Sequence, residues 1–281
     1  VLLHCAGRTL DLRTPVVMGV LNVTPDSFSD GGRYAGPEVA LARGLRMLDE
    51  GATVIDVGGE STRPGADPVP PDEELERVLP VVSGLLARGA LVSVDTSKPE
   101  VIRAAAEAGV HMVNDVYALR RPGALEAAAA GSAAVCLMHM QGEPRSMQRS
   151  PGYGDVLAEV GAFLAARVRD CEAAGIDRKR LVIDPGFGFG KTLEHNLDLL
   201  RGLPALAEAA GTDLPLLAGL SRKSMLAALT GRDIDSRLAG SLALAWAALD
   251  GGARIIRCHD VAETCDVVKV WAALRRRGGP V

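Results

Sequence analysis

Carboxylates, amides, cations and hydroxyls recur along this chain immediately after short apolar runs. Asn22 follows the run 16–21 with Thr24, Asp26, Ser27, Phe28 and Asp30 behind it, and Gly31-Gly32 then lets the chain turn. Gly58-Gly59-Glu60-Ser61-Thr62-Arg63-Pro64-Gly65 places flexible backbone, a hydroxyl and a guanidinium after a second run. That grouping suits a bound anion as well as it suits a solvated turn. Val92-Ser93-Val94-Asp95 and Val182-Ile183-Asp184 each end an apolar run in a carboxylate, and Asn114-Asp115 ends a third. A single Asp of this kind is more simply a helix cap. Two acids and an amide facing one pocket can instead read the donor and acceptor edge of a flat nitrogen heterocycle.

The segment Asp184-Pro185-Gly186-Phe187-Gly188-Phe189-Gly190-Lys191-Thr192 is glycine-rich, but Pro185 stands where a Gly-x-x-x-x-Gly-Lys phosphate loop needs its first glycine. The spacing also fails the dinucleotide fingerprint. Of the four Phe in the chain, Phe28, Phe187 and Phe189 fall in these loops, which a planar ligand explains better than loop packing. Ser221-Arg222-Lys223-Ser224 and Arg257-Cys258-His259-Asp260 offer cations and hydroxyls to a phosphate, with solvated charge as the plainer alternative. His4, His111 and His195 read as structural or exposed, and no His/Cys pair has zinc-ligand spacing.

Such loops need a frame that gathers their strand ends. Strand-like runs at 16–21, 53–57, 91–95, 112–114, 134–139, 181–184, 214–218 and 254–258 alternate with helical stretches that include 37–50, 72–87, 98–108, 155–174 and 261–274. Gly51, Gly89, Gly109, Gly175 and Gly252 stand where helices must end. The alternation predicts an α/β fold: a single (β/α)8 TIM barrel over residues 1–281, with a short β hairpin in 1–14 around Gly7-Arg8. An open doubly wound sheet uses the same alternation, but polar residues at all the strand ends, His139 included, favour one closed mouth.

At 281 residues, 48% hydrophobic and 23% charged, the chain can bury a sizeable core and need not be disordered. Its net charge of -4 argues against a nucleic-acid partner. Cys5, Cys136, Cys171, Cys258 and Cys265 form no Cys-x-x-Cys pair, which predicts buried free thiols in a reducing cytoplasm. Residues 1–12 lack the regions of a secretory leader, and the apolar stretch 238–249 is too short for a bilayer, so no membrane partner is expected. A helix over 234–249 would carry Leu238, Leu242 and Leu249 on one stripe with Leu244 and Trp246 elsewhere, which predicts a homodimer surface.

In their order and spacing, residues 22–32, 58–65, Asp95, Asn114-Asp115, Leu137-Met138-His139-Met140-Gln141-Gly142, 184–191, Ser221-Arg222-Lys223 and 257–260 resemble the dihydropteroate synthases over nearly the whole chain. Cys258 departs from the Val more often found there, a change that should touch strand packing rather than chemistry. The resemblance implies transfer of a dihydropterin-methyl group from its diphosphate ester to 4-aminobenzoate, giving dihydropteroate and diphosphate in folate biosynthesis. Sulfonamides would compete for the arylamine pocket.

The same resemblance implies Asp95, Asp184, Lys223 and Arg257 as catalytic residues. Asp95, Asn114, Val116, Met138, Asp184 and Lys223 would hold the pterin, and Asn22, Arg63, Arg257 and His259 would face the diphosphate. Phe28, Thr62, Arg63, Pro64, Phe189, Lys223 and Ser224 would line the 4-aminobenzoate pocket, Asn22 would contact Mg2+, and the loops from Asn22 and Ser61 would close over the site. Two other readings share many of these residues: a pterin-binding barrel of the corrinoid methyltransferase type, and a non-catalytic barrel paralogue.

Overall fold

Runs of β-branched and aliphatic residues buried on both faces form parallel strands, and this chain supplies a closed ring of them. The structure, a computed structural model, describes residues 1–24, 32–61 and 66–275, with backbone alone at 32–35. An antiparallel hairpin comes first, β1 (Leu2–Cys5) and β2 (Arg8–Asp11), turned at Ala6-Gly7, where both residues have positive φ. The first half of the barrel follows as β3 (Val16–Asn22), α1 (Gly32–Asp49), β4 (Val54–Gly58), α2 (Pro71–Leu86), β5 (Leu91–Asp95), α3 (Pro99–Ala108), β6 (Met112–Asp115) and α4 (Ala124–Ala130). The second half is β7 (Ala134–Met138), α5 (Val156–Ala173), β8 (Leu181–Asp184), α6 (Leu193–Arg201), α7 (Leu203–Ala209), β9 (Leu216–Ala218), α8 (Ser224–Thr230), α9 (Leu238–Asp250), β10 (Ala253–Cys258) and α10 (Val261–Arg275). Strands β3 to β10 pair in sequence order, and β10 closes on β3 with Arg257 opposite Met18.

Local chemistry explains most of the boundaries. Pro71 and Pro99 open α2 and α3, where a missing N–H costs nothing. Gly109 ends α3 in the left-handed region, and its N–H returns to the Ala105 and Ala106 carbonyls. Two boundaries differ from the sequence expectation by more than two residues. Helix α1 begins at Gly32 rather than at 37, so Pro37 lies inside the helix, where it removes one hydrogen bond. The stretch 234–249 is broken into a 3-10 turn at Ile234–Ser236 and α9, and Arg237 at the junction donates to the Arg222 and Arg232 carbonyls. Leu238, Leu242 and Leu249 all fall on α9, where Leu249 is buried and Leu238 is exposed.

Alternation along the strands sorts side chains into two layers. Outward residues such as Ile55, Val57, Val92, Val94, Val135, Leu137 and Ile183 pack under the helices. Inward residues at the N-terminal end of the barrel, including Met18, Val54, Met112, Cys136, Val182, Leu217 and Ile255, pack against Leu3, Cys5, Leu10 and Leu12 of the hairpin segment. The hairpin thus plugs one end with apolar side chains. All five cysteines are buried and unpaired. Among the described residues, no helix is long and apolar enough to cross a membrane.

Candidate active site

Two residues further along five of the strands, the inward positions change character. Val54 is followed by Asp56 and Gly58, Leu91 by Ser93 and Asp95, Met112 by Asn114, Val182 by Asp184, and Ile255 by Arg257. Because the strands are parallel, these polar positions meet at a single end.

Arg257 links three strands there. Its Nε donates to Asp56 Oδ2 at 2.7 Å and its Nη2 donates to Asp95 Oδ2 at 2.6 Å, while Asn114 Nδ2 donates to Asp56 Oδ2 at 3.0 Å. Both carboxylates are buried, so removing the guanidinium would leave two charges in a poor solvent. Burial pushes the Asp95 carboxyl well above the usual range, Arg257 opposes that rise, and the Asp56 charge adds to it. Burial alone would lower the Arg257 pKa, but the carboxylates of Asp56 and Asp95 outweigh it and hold the guanidinium firmly charged. Asp56 Oδ1 and Ser93 Oγ are buried without a protein partner.

Asp184 lies across the mouth at the end of β8 and accepts the Gly186 N–H through Oδ1 at 2.7 Å. Burial raises its pKa, and Lys223 works against that rise. Lys223 donates to the Phe187 carbonyl, and its ammonium stands 4.5 Å from the centre of the Phe189 ring. Burial lowers its pKa to about 8 despite the pull of Asp184. Val116, Tyr117, Met138, Met140 and Met147 form an apolar patch against which Phe189 packs. The mouth therefore joins a flat apolar wall to a rim of carboxylates, an amide and cations, which matches a planar, nitrogen-rich ligand.

The loops after β9 and β10 are tied together. Ser221 Oγ lies 3.1 Å from His259 Nδ1 and accepts the His259 N–H, and the Arg222 guanidinium forks onto both oxygens of Asp260. Ser224 is exposed at the start of α8. Asn22 ends β3 half-buried, and its strand is fastened to β4 by the Val23 N–H on the Gly58 carbonyl at 2.7 Å. A Cβ on Gly58 would stand 3.7 Å from Asn22 Oδ1 and 3.5 Å from Asp95 Cβ, so the bare glycine keeps that corner open. A cavity of about 270 Å³ opens beside Asp95 and Val116, walled by Glu60, Ser61, Ser97, Tyr117, Arg121 and Glu143. Asp95 lines it, whereas Asn114, Asp184, Lys223 and Arg257 do not.

The structure brings Asn22, Asp95, Asn114, Val116, Met138, Asp184, Phe189, Lys223, Arg257 and His259 to one barrel end. Phe28, Thr62, Arg63, Pro64 and most of the hinge expected at Asp30-Gly31-Gly32 lie outside the described residues. Sequence reasoning missed Asp56, an acid at an inward position of an otherwise apolar strand. That phase was the available signal. It also missed the acceptors of Lys191: its Nζ bonds the Gly186 and Phe189 carbonyls and His139 Nδ1.

Fold and mouth together define a barrel enzyme built around a polar heterocycle, and the family profile described as pterin binding enzyme matches residues 18–259. The dihydropteroate synthase of Escherichia coli K12 is 53% identical over 272 residues, covering 96% of this chain and 95% of the relative. The Xanthomonas albilineans dihydropteroate synthase with 4-aminobenzoic acid is 53% identical and superposes with a TM-score of 0.92 over 99% of each chain. The Yersinia pestis enzyme in a sulfonamide drug complex is 51% identical, with a TM-score of 0.92 over 98% of this chain and 99% of that one. The chain belongs to the dihydropteroate synthase family, transferases of a pterin-methyl group.

Proposed function

We propose that this chain condenses dihydropterin-methyl diphosphate with 4-aminobenzoate to give dihydropteroate and diphosphate. The observation that carries this reading is the convergence of Asp95, Asn114, Asp184 and Lys223 around the apolar wall of Val116, Met138 and Phe189. Carboxylates accept the N–H groups of a pterin edge, and Asn114 and Lys223 donate to its acceptors. Binding exchanges protein contacts for ligand contacts: Asp95 gives up Arg257, and Lys223 gives up the Phe187 carbonyl.

The methylene C–O bond to diphosphate breaks first, leaving a cation delocalised into the ring. Asp95 and Asp184 stabilise that positive charge, while Arg257, Arg63 and His259 receive the departing diphosphate. The amino nitrogen of 4-aminobenzoate then forms the new C–N bond and loses its proton. The family resemblance assigns Phe28, Thr62, Pro64, Phe189, Lys223 and Ser224 to the arylamine, which is where a sulfonamide would compete.

Asn22 offers one neutral oxygen beside the open corner at Gly58, and among the described residues no trio of acidic, His or Cys side chains forms a metal cage. That donor set fits Mg2+, which is typically held by one or two protein oxygens together with waters and substrate phosphate. When bound, it neutralises charge on the leaving diphosphate. Exposed Leu229, Ile234 and Leu238 around α8 and α9, with Val270 and Leu274 on α10, support a homodimer. Five unpaired thiols suit a reducing cytoplasm. A monomeric mass by sedimentation at micromolar concentration would remove the dimer.

The deciding assay is turnover of dihydropterin-methyl diphosphate plus 4-aminobenzoate, with Mg2+, to dihydropteroate and diphosphate. Folded protein that forms no product would sink this reading in favour of a methyltransferase-type or non-catalytic barrel.

A further inference from the structure

The loop between Asp184 and Lys191 closes on itself through the Phe189 N–H on the Gly186 carbonyl at 3.1 Å and leaves most of its other carbonyls to side-chain donors. Gly186 and Gly190 have positive φ, and a Cβ at either would fall 1.9 Å from the His139 carbonyl oxygen or 2.3 Å from that of Gln141. A backbone held so closely against its neighbour forms neither helix nor strand, and its carbonyls turn to side-chain donors. They have them at five consecutive residues. Lys191 Nζ donates to the carbonyls of Gly186 at 2.9 Å and Phe189 at 3.1 Å, Lys223 to Phe187, Gln148 to Gly188, and the Tyr153 hydroxyl to Gly190 at 2.8 Å.

Lys191 is the donor that spans the loop. An ammonium has three N–H groups and no acceptor, and Lys191 uses its third on His139 Nδ1 at 3.0 Å. With the ammonium charged, His139 Nδ1 is the acceptor of this pair. Burial, aided by the Lys191 charge, holds its imidazole neutral with a pKa lowered to about 3, and the ring is fixed edge-on to Phe163 at 4.9 Å. Lys191 is 3% exposed, and every hydrogen bond shown for its ammonium ends on a neutral acceptor. Burial correspondingly lowers its pKa to about 7. A neutral donor could cap two carbonyls without this desolvation, so a cation here needs a reason beyond packing. The charge also helps keep Asp184 ionised.

We propose that Lys191, oriented by His139, is a positioning residue for the pterin site: it fixes the loop 185–190 so that Asp184, the Phe187 carbonyl and the Phe189 ring meet the ligand in a set geometry. This rests on the assignment of that site to the pterin. Lys191 acts through the loop, since its donors are spent on protein.

The test compares wild type with Lys191→Met, which keeps the length and loses all three donors, and Lys191→Gln, which keeps two donors without charge. Lys191→Met is expected to raise the KM for dihydropterin-methyl diphosphate about tenfold and to weaken calorimetric binding of dihydropteroate by the same factor. The KM for 4-aminobenzoate should move less than about threefold, and Lys191→Gln should recover part of the pterin loss. Wild-type constants in a folded Lys191→Met, or a fall in kcat with both KM values unchanged, would overturn the proposal. If Lys191→Met does not fold, Lys191→Gln is decisive: a raised pterin KM supports the proposal and an unchanged one overturns it. Wild-type protein that turns over nothing would overturn the functional reading, and this inference with it, whereas an active wild type with indifferent variants would overturn the inference alone.

Discussion

The two ends of this barrel are made by the same strands with the same alternation, yet they differ in every property that matters. At the hairpin end, inward positions are Met18, Val54, Met112 and Val182, sealed by Leu3 and Leu12. At the mouth, inward positions include Asp56, Asn114, Asp184 and Arg257, and burial disfavours the charge of Asp184 and of nearby Asp95. The first end stabilises the fold. The second spends part of that stability on a binding surface, the trade expected where function needs buried charge.

If that division is right, substitutions should separate cleanly. Leu3→Ala, at a fully buried plug position, should cost about 2–5 kcal/mol in denaturant unfolding and leave both KM values unchanged. A shift in KM would break the contrast. Asp184→Asn should do the reverse: binding of dihydropteroate about a hundredfold weaker by calorimetry, with the melting temperature held or raised because a carboxylate disfavoured by burial is gone. Arg257→Lys keeps the charge but cannot fork between Asp56 and Asp95, and should lower kcat/KM about tenfold. Full activity in that variant would show that the bridge is dispensable.

The last expected effect is in pH. The folded-state pKa of Lys223, about 8, lies below its ordinary 10.5, so over that window the unfolded chain holds the proton more tightly. Wild type should therefore gain stability relative to Lys223→Met as pH rises from about 8 to 10.5, while kcat/KM falls as the donor is lost. Parallel unfolding curves at pH 7.5 and 10 would contradict this.

Much of the mouth was legible because strand-end position is a local signal: Asp95, Asn114, Asp184 and Arg257 each close an apolar run. Asp56 was not, since it lies inside its run and its partner Arg257 is 201 residues away. Lys191 was hidden for a similar reason. Its segment failed the phosphate-loop spacing and so carried no role for the Lys, and only the fold shows its acceptors to be carbonyls and His139. The helix over 234–249 was misjudged because periodicity does not report the side-chain bonds of Arg237 that break it.

The central claim, that the polar mouth takes the pterin by exchanging its internal contacts, is tested most directly by a crystal structure with dihydropteroate bound. The account predicts the pterin edge on Asp95, Asn114 and Asp184, with the Arg257 guanidinium withdrawn from Asp95. A ligand elsewhere in the mouth, with Arg257 still bridging Asp56 and Asp95, would contradict it.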